Sequence, residues 1–113
     1  MSVTNKPDAQ SVLELENQIT TLAAHLNAAE YRWMQLLYEF DRLEGWQGVG
    51  IVSFAHWLNW KCGISLPAAR ERVRVARRLP ELPLISEAMR AGRISYSKVR
   101  AMTRIATADN EQR

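Results

Sequence analysis

Residues 11–44 constrain this chain more than any other stretch. Val12, Leu15, Ile19, Leu22, Leu26, Ala29, Trp33, Leu36, Phe40 and Leu43 follow one another at alternating steps of three and four. That is an a/d heptad seam sustained for more than four heptads, and it predicts one long helix. Ser11, with Glu14 three residues on, offers a capping-box start, and Gly45 offers a stop. A helix of roughly 30 residues is about 45 Å long, which is long for a small domain. Two fates are open to the seam. It can pack against the later helices of the same chain, the usual fate of an amphipathic face. Alternatively, Val12, Leu15, Ile19, Leu22, Leu26, Trp33, Leu36 and Phe40 can serve as an interaction seam that pairs with a second copy or a partner, because the helix outruns what the rest of the chain can cover.

The remainder reads as short helices punctuated by glycine and proline. Residues 45–50 hold the one glycine cluster, which matches neither GxGxxG nor a Walker A loop and so is a plain connection. Ser53 caps a helix from 54 to about 61, in which Phe54, Trp57, Leu58 and Trp60 are apolar; Trp46, Trp57 and Trp60 read most simply as core or staple residues. After a turn at Cys62, Gly63 and Ile64, Ser65 caps a helix over 66–79 with Pro67 in its first turn. Pro80 and Pro83 bracket a break, a short helix over 84–91 stops at Gly92, and Ser95 caps a last helix from 96 to about 106. The expected fold is therefore all-α: one long heptad-patterned helix (11–44), then a bundle of about four shorter helices (52–106). Residues 1–10 are expected to form a disordered tail and 107–113 a frayed one.

With 113 residues, 47% of them apolar and 24% charged, the composition is that of one ordinary globular domain. No apolar run reaches the roughly 20 residues of a membrane span, and residues 1–10 lack the order of a signal peptide, so a cytoplasmic chain is the expectation. The single Cys62 excludes an internal disulfide and is expected to be a small buried residue. His25 and His56 make no cluster at zinc spacing, and no paired carboxylates or activated nucleophile are evident, so neither a metal, a cofactor, a small-molecule substrate nor catalysis is expected.

The net charge of +3 hides an asymmetry. Residues 1–60 carry three basic and seven acidic groups, for −4, whereas residues 61–104 carry eleven basic and three acidic ones, for +8. A polyanion-facing half and an acidic scaffold half would look like this. Within the basic half a short phrase occurs twice, thirty positions apart: Ile64, Ser65, Ala69, Arg70, Arg74, Ala76 and Ile94, Ser95, Val99, Arg100, Arg104, Ala106. At 100° per residue, Leu66, Ala69, Val73 and Ala76 share one face, and Arg70, Arg74, Arg77 and Arg78 lie on the neighbouring arc. In the second copy Val99, Met102 and Ala106 point inward, and Arg100 and Arg104 repeat the arc. Like charges at i,i+4 disfavour an isolated helix, so an anionic partner is the natural compensation. Arginine rather than lysine supplies nearly all of this charge, and guanidinium suits bidentate phosphate contacts. The competing reading is a solvated face, answered in part by Glu71, Glu81 or the acidic first helix. Each copy also follows a helix and a glycine turn, the outline of a helix-turn-helix, although Arg72 stands where that motif wants an apolar residue.

The strings at 55–65, 68–76 and 94–104, together with Leu26, Asn27, Ala28 and Ala29 and with Glu39, Phe40 and Asp41, resemble the domain-of-unknown-function 222 family. That family is a helical region found ahead of HNH endonuclease domains in proteins linked to mobile elements. The resemblance implies association with DNA-cleaving proteins, while nothing after Ala106 could form an HNH unit with its two histidines and asparagine, so the chain resembles a short or truncated copy without the cleaving part. The combined expectation is a non-catalytic DNA-binding or targeting module that contacts duplex DNA through Arg70, Arg74, Arg77, Arg78, Lys98, Arg100 and Arg104. The alternative is a dimerisation or nuclease-docking module that uses the long helix and has no affinity for nucleic acid.

Overall fold

The structure is a computed structural model and describes residues 8–111. It is all-helical: α1 (Ala9–Arg42), α2 (Phe54–Cys62), α3 (Leu66–Arg78), a 3₁₀ turn (Leu79–Glu81), α4 (Pro83–Arg90) and α5 (Tyr96–Met102), with no strand among the described residues. α1 begins earlier than the capping-box pattern predicts. The Asp8 carboxylate, not Ser11, caps it by accepting the Ser11 N–H at 2.7 Å, and this hydrogen bond to a backbone N–H holds the Asp8 pKa below its ordinary value. The disordered tail expected over 1–10 otherwise falls on residues outside the described ones. At the other end Glu44 takes the left-handed turn (φ 55°) in place of Gly45. Gly45 answers a different need: a Cβ there would lie 2.4 Å from the Phe40 ring. That ring sits 4.6 Å from Trp57 and 5.8 Å from Phe54, so an aromatic cluster fastens the end of α1 to α2.

The serine caps form as their positions predict. Ser53, Ser65 and Ser95 accept from the backbone N–H groups of His56, Ala68 and Lys98. Gly63 (φ 70°) ends α2, and Asn59 closes the turn by donating to the Ile64 carbonyl at 2.7 Å. Trp60 and Cys62 are exposed, contrary to expectation: Phe54, Ala55 and Leu58 turn the side opposite Trp60 inward, and Cys62 is the last residue of this nine-residue helix, at the Gly63 turn. α5 stops at Met102, short of the expected 106. Beyond it, Thr103 returns its hydroxyl to the Arg100 carbonyl (2.9 Å), and Arg74 and Arg78 of α3 donate to the carbonyls of Arg100 and Ala106. Residues 107–111 fold back as a turn instead of fraying. Thr107 and Asn110 bond each other, and Glu111 accepts the Ile85 N–H, capping α4 where Leu82 provides no side-chain cap.

The core lies where α2, α3, α4 and α5 meet the second half of α1, around Met34, Leu58, Val75, Leu82, Met89 and Val99. α3 is buried on two sides. Ala69, Val73 and Ala76 face inward as predicted, and Val75 is fully buried on the other flank. The bundle first meets α1 at Ala24, where Gly92 (φ 81°) approaches so closely that a Cβ would lie 2.5 Å from the Ala24 carbonyl oxygen; Asn27 donates to the Gly92 carbonyl beside it. Residues 9–23 are exposed along their whole length. They form an arm about 22 Å long at 1.5 Å per residue. The molecule accordingly measures 62 × 38 × 19 Å, with a radius of gyration of 18.6 Å, against about 13 Å for a compact domain of this size.

Neither expected fate describes the seam as a unit. Val12, Leu15, Ile19, Leu22 and Leu26 are 48–67% exposed and Leu36 is half exposed, while Trp33 and Phe40 pack on the core. The residues of α1 that are fully buried, Met34 and Leu37, are off the seam. At 100° per residue the direction that faces the bundle is displaced by roughly a fifth of a turn from the apolar stripe of the arm.

Candidate nucleic-acid interface

The two copies of the repeated phrase become α3 and α5, and their arginine arcs face each other across one carboxylate. Glu71 accepts from Arg74 (3.0 Å) on its own helix, and from Arg100 (3.1 Å) and Arg104 (3.0 Å) on α5. Hydrogen bonding to Arg74 foremost, then to Arg100, with the positive charge of Arg74 and Arg104 added, holds the Glu71 pKa down at about 2, against the smaller opposing effect of its partial burial. Three cations on one anion leave a local surplus of two positive charges.

The seven basic residues nominated from the sequence therefore divide. Arg74 is a brace: besides Glu71 it holds the Thr103 hydroxyl (3.2 Å) and the Arg100 carbonyl (3.1 Å), tying α3 to the end of α5. Arg78 braces likewise, bonding the Ala106 carbonyl and pairing with Glu81 at 3.3 Å. Arg77 pairs with Asp41 of α1 at 2.6 Å, which raises the arginine's pKa further above its ordinary value, yet its side chain remains 58% exposed. Arg100 and Arg104 are about half exposed and keep donors directed to solvent. Arg70 and Lys98 are exposed and have no side-chain partner among the described residues. Arg70, Arg74, Arg77 and Arg78 also line an open groove of about 440 Å³ against Ser53 and Phe54 at the N-terminus of α2, where unpaired backbone N–H groups add a partial positive charge.

Sequence reasoning missed the best-packed arginine. Arg72, the residue that spoiled the motif, donates to both Glu30 oxygens (2.5 and 3.4 Å) and stacks 3.5 Å from the centre of the Tyr96 ring and 4.9 Å from that of Trp33. It links α1, α3 and α5 with its side chain only 18% exposed. Burial in the same contact raises the Tyr96 pKa, against the opposing charge of Arg72. Glu71 carried a faint signal, as the one acidic residue on the arginine helix and three positions before Arg74. Among the described residues no group of histidine, cysteine or acidic side chains could hold a metal ion. His56 spends its Nδ1 accepting the Val52 N–H at 3.3 Å. No helix of the described residues is long and apolar enough to cross a membrane.

The family model described as "Domain of unknown function (DUF222)" matches residues 13–109, which takes in most of the arm, both arginine helices and the start of the C-terminal turn. The chain belongs to the DUF222 family. No curated protein and no solved structure matches it. In this DUF222 domain, then, the shared region is one helical body in which the basic half is cross-braced onto the acidic first helix by the Arg72 with Glu30 and Arg77 with Asp41 pairs.

Proposed function

We propose that this DUF222 domain is a non-catalytic module that binds duplex DNA through its phosphate backbone, using the face built by α3 and α5. The observation that carries this reading is the convergence of Arg74, Arg100 and Arg104 on the single carboxylate of Glu71. One carboxylate cannot occupy the five N–H donors of each of three guanidinium groups, so it orients the forks and leaves donors and charge for an anion. Arg70, about 40° round α3 from Arg74, extends the same surface, Lys98 adds an exposed positive charge on the other flank of α5, and the half of the chain that contains them carries the +8 surplus. No base-reading element is implied; contacts of this kind position a protein on DNA without selecting sequence. In an assembly with an HNH nuclease, the module's part would be to bring that nuclease to DNA.

Binding should be strongly salt-dependent, with each phosphate contact contributing about 0.9 to the slope of log K against log salt. The test is fluorescence anisotropy on a labelled duplex across a salt series. Arg70→Ala and Arg104→Ala should each lower the slope by about one unit and weaken binding to all duplexes alike. Arg74→Ala is unsuitable for this test because it also releases the end of α5. Absence of binding at low salt, or parental binding by the Arg70→Ala, Lys98→Ala, Arg104→Ala triple variant, would overturn the reading.

A further inference from the structure

We infer that the arm of α1 is the interface for a second copy of this chain, the two arms lying antiparallel with Ile19 of one against Leu22 of the other. This inference is independent of DNA binding. Val12, Leu15, Ile19, Leu22 and Leu26 form one continuous stripe, each 48–67% exposed, on a helix that no other element reaches before Ala24. A soluble monomer rarely leaves so long a row of large apolar side chains in water. Their steps of three and four are the a/d spacing of a two-stranded coiled coil, and an a/d stripe is complementary to itself, as a twofold interface requires.

Charge selects the orientation. The arm carries Asp8, Glu14 and Glu16, and no lysine or arginine occurs between residues 8 and 31. At the shoulder where the arm leaves the bundle stands Arg93, next to Gly92 and exposed; its charge reaches Glu87, but its side chain makes no hydrogen bond or ion pair among the described residues. Parallel arms would set the acidic segments side by side and bring both +8 halves to the same end. Antiparallel arms carry Glu14 and Glu16 of each copy to the level of Asn27 and Arg93 of the other. In the register that alternates a with d across the seam, Ile19 meets Leu22, Leu15 meets Leu26 and Val12 meets Ala29, so every residue of the stripe is covered.

Sedimentation velocity of the whole chain, under reducing conditions that keep the exposed Cys62 free, tests this over a concentration series. The parent should pass from monomer to dimer as concentration rises. Ile19→Lys and Leu22→Glu should each weaken self-association at least about tenfold while far-UV circular dichroism stays helical, and Leu13→Glu, off the stripe, should leave it unchanged. An equimolar mixture of the Ile19→Lys and Leu22→Glu chains should dimerise again, because the two introduced charges meet only across antiparallel arms. A parent that stays monomeric throughout overturns the interface, and so do stripe variants that dimerise like the parent. A mixture that stays monomeric overturns the antiparallel register.

Discussion

The two halves of α1 share one heptad-spaced apolar stripe and differ in everything that follows from it. In the second half, Met34 and Leu37 vanish beneath α3 and α4, Glu30 and Asp41 take arginines from α3, and Phe40 joins an aromatic cluster with α2. In the first half, Val12, Leu15, Ile19 and Leu22 stay in solvent on an arm that no other helix of the described residues covers, and Leu26 just past it is also exposed. The heptad pattern runs through both without a break. Periodicity therefore states that a helix has an apolar face, while the side and level at which the later helices pack decide how much of that face is covered.

Stability measurements should separate the halves most sharply at single apolar residues. Met34→Ala removes a side chain that is 1% exposed and should cost about 2–5 kcal/mol, the range for large-to-small changes in a core. Ile19→Ala, at a concentration where the chain is monomeric, should change stability by no more than about 0.5 kcal/mol. Denaturant midpoints with an unchanged m value check both, and comparable losses at the two sites would mean that the arm is covered within the monomer. The next largest effect lies at the boundary. Gly92→Ala strains a left-handed residue and drives a Cβ into the Ala24 carbonyl, whereas Gly50→Ala meets the same φ of 81° with open space around it. The first should cost about 2–3 kcal/mol and the second about 1–2, the difference measuring how firmly the bundle is seated on α1.

Within the docked half, the arginines can be ranked by what they hold. Arg72→Lys keeps the charge but loses the planar stack on Tyr96 and the fork on Glu30, and should cost about 1–2 kcal/mol in thermal or denaturant unfolding. Arg70→Lys, with nothing to lose, should be neutral within about 0.5 kcal/mol. The Glu71 cluster should appear in the pH dependence. Its folded pKa of about 2 lies below the ordinary value of 4.5, so its contribution is complete above pH 4.5 and disappears as pH falls toward 2. With the carboxylate partly open to water, the amount is about 1 kcal/mol, and Glu71→Gln should flatten that part of the acid-unfolding profile.

The residues themselves announced the helices and their stops well. Ser53, Ser65 and Ser95 cap where a side-chain oxygen precedes an apolar pattern, and Gly63 and Gly92 sit where a left-handed turn is needed. These are local decisions, made within four residues, and local chemistry suffices to read them. The burial of Met34 and Leu37 off the seam was not legible, because it depends on the side from which α3 and α4 approach. Nor was the division of the arginines. Arg70 and Arg74 occupy equivalent arcs of one helix, yet Arg70 stands in solvent and Arg74 binds three groups of α5 and α3, a distinction that appears only once α5 lies across α3. Arg72 looked out of place for the same reason, since its acidic partner lies 42 residues away on another helix.

The smallest effect belongs to the tip of the arm. Asp8 accepts the Ser11 N–H at 2.7 Å and places a negative charge beside the exposed N–H groups that begin α1. Removing an N-cap carboxylate usually costs about 0.5–2 kcal/mol, but that figure supposes that the helix end and the domain melt together. Here the first fifteen residues of α1 are exposed throughout, with no packed partner among the described residues to transmit the loss, so in the monomer Asp8→Ala should leave global unfolding unchanged and only fray the arm. Hydrogen exchange can see this directly: the amides of residues 12–20 should exchange several-fold faster in the variant, while those of Met34 and Leu37 keep the parental rate. If the two arms pair, the fraying opposes association, and the variant's self-association should weaken in step with its faster exchange.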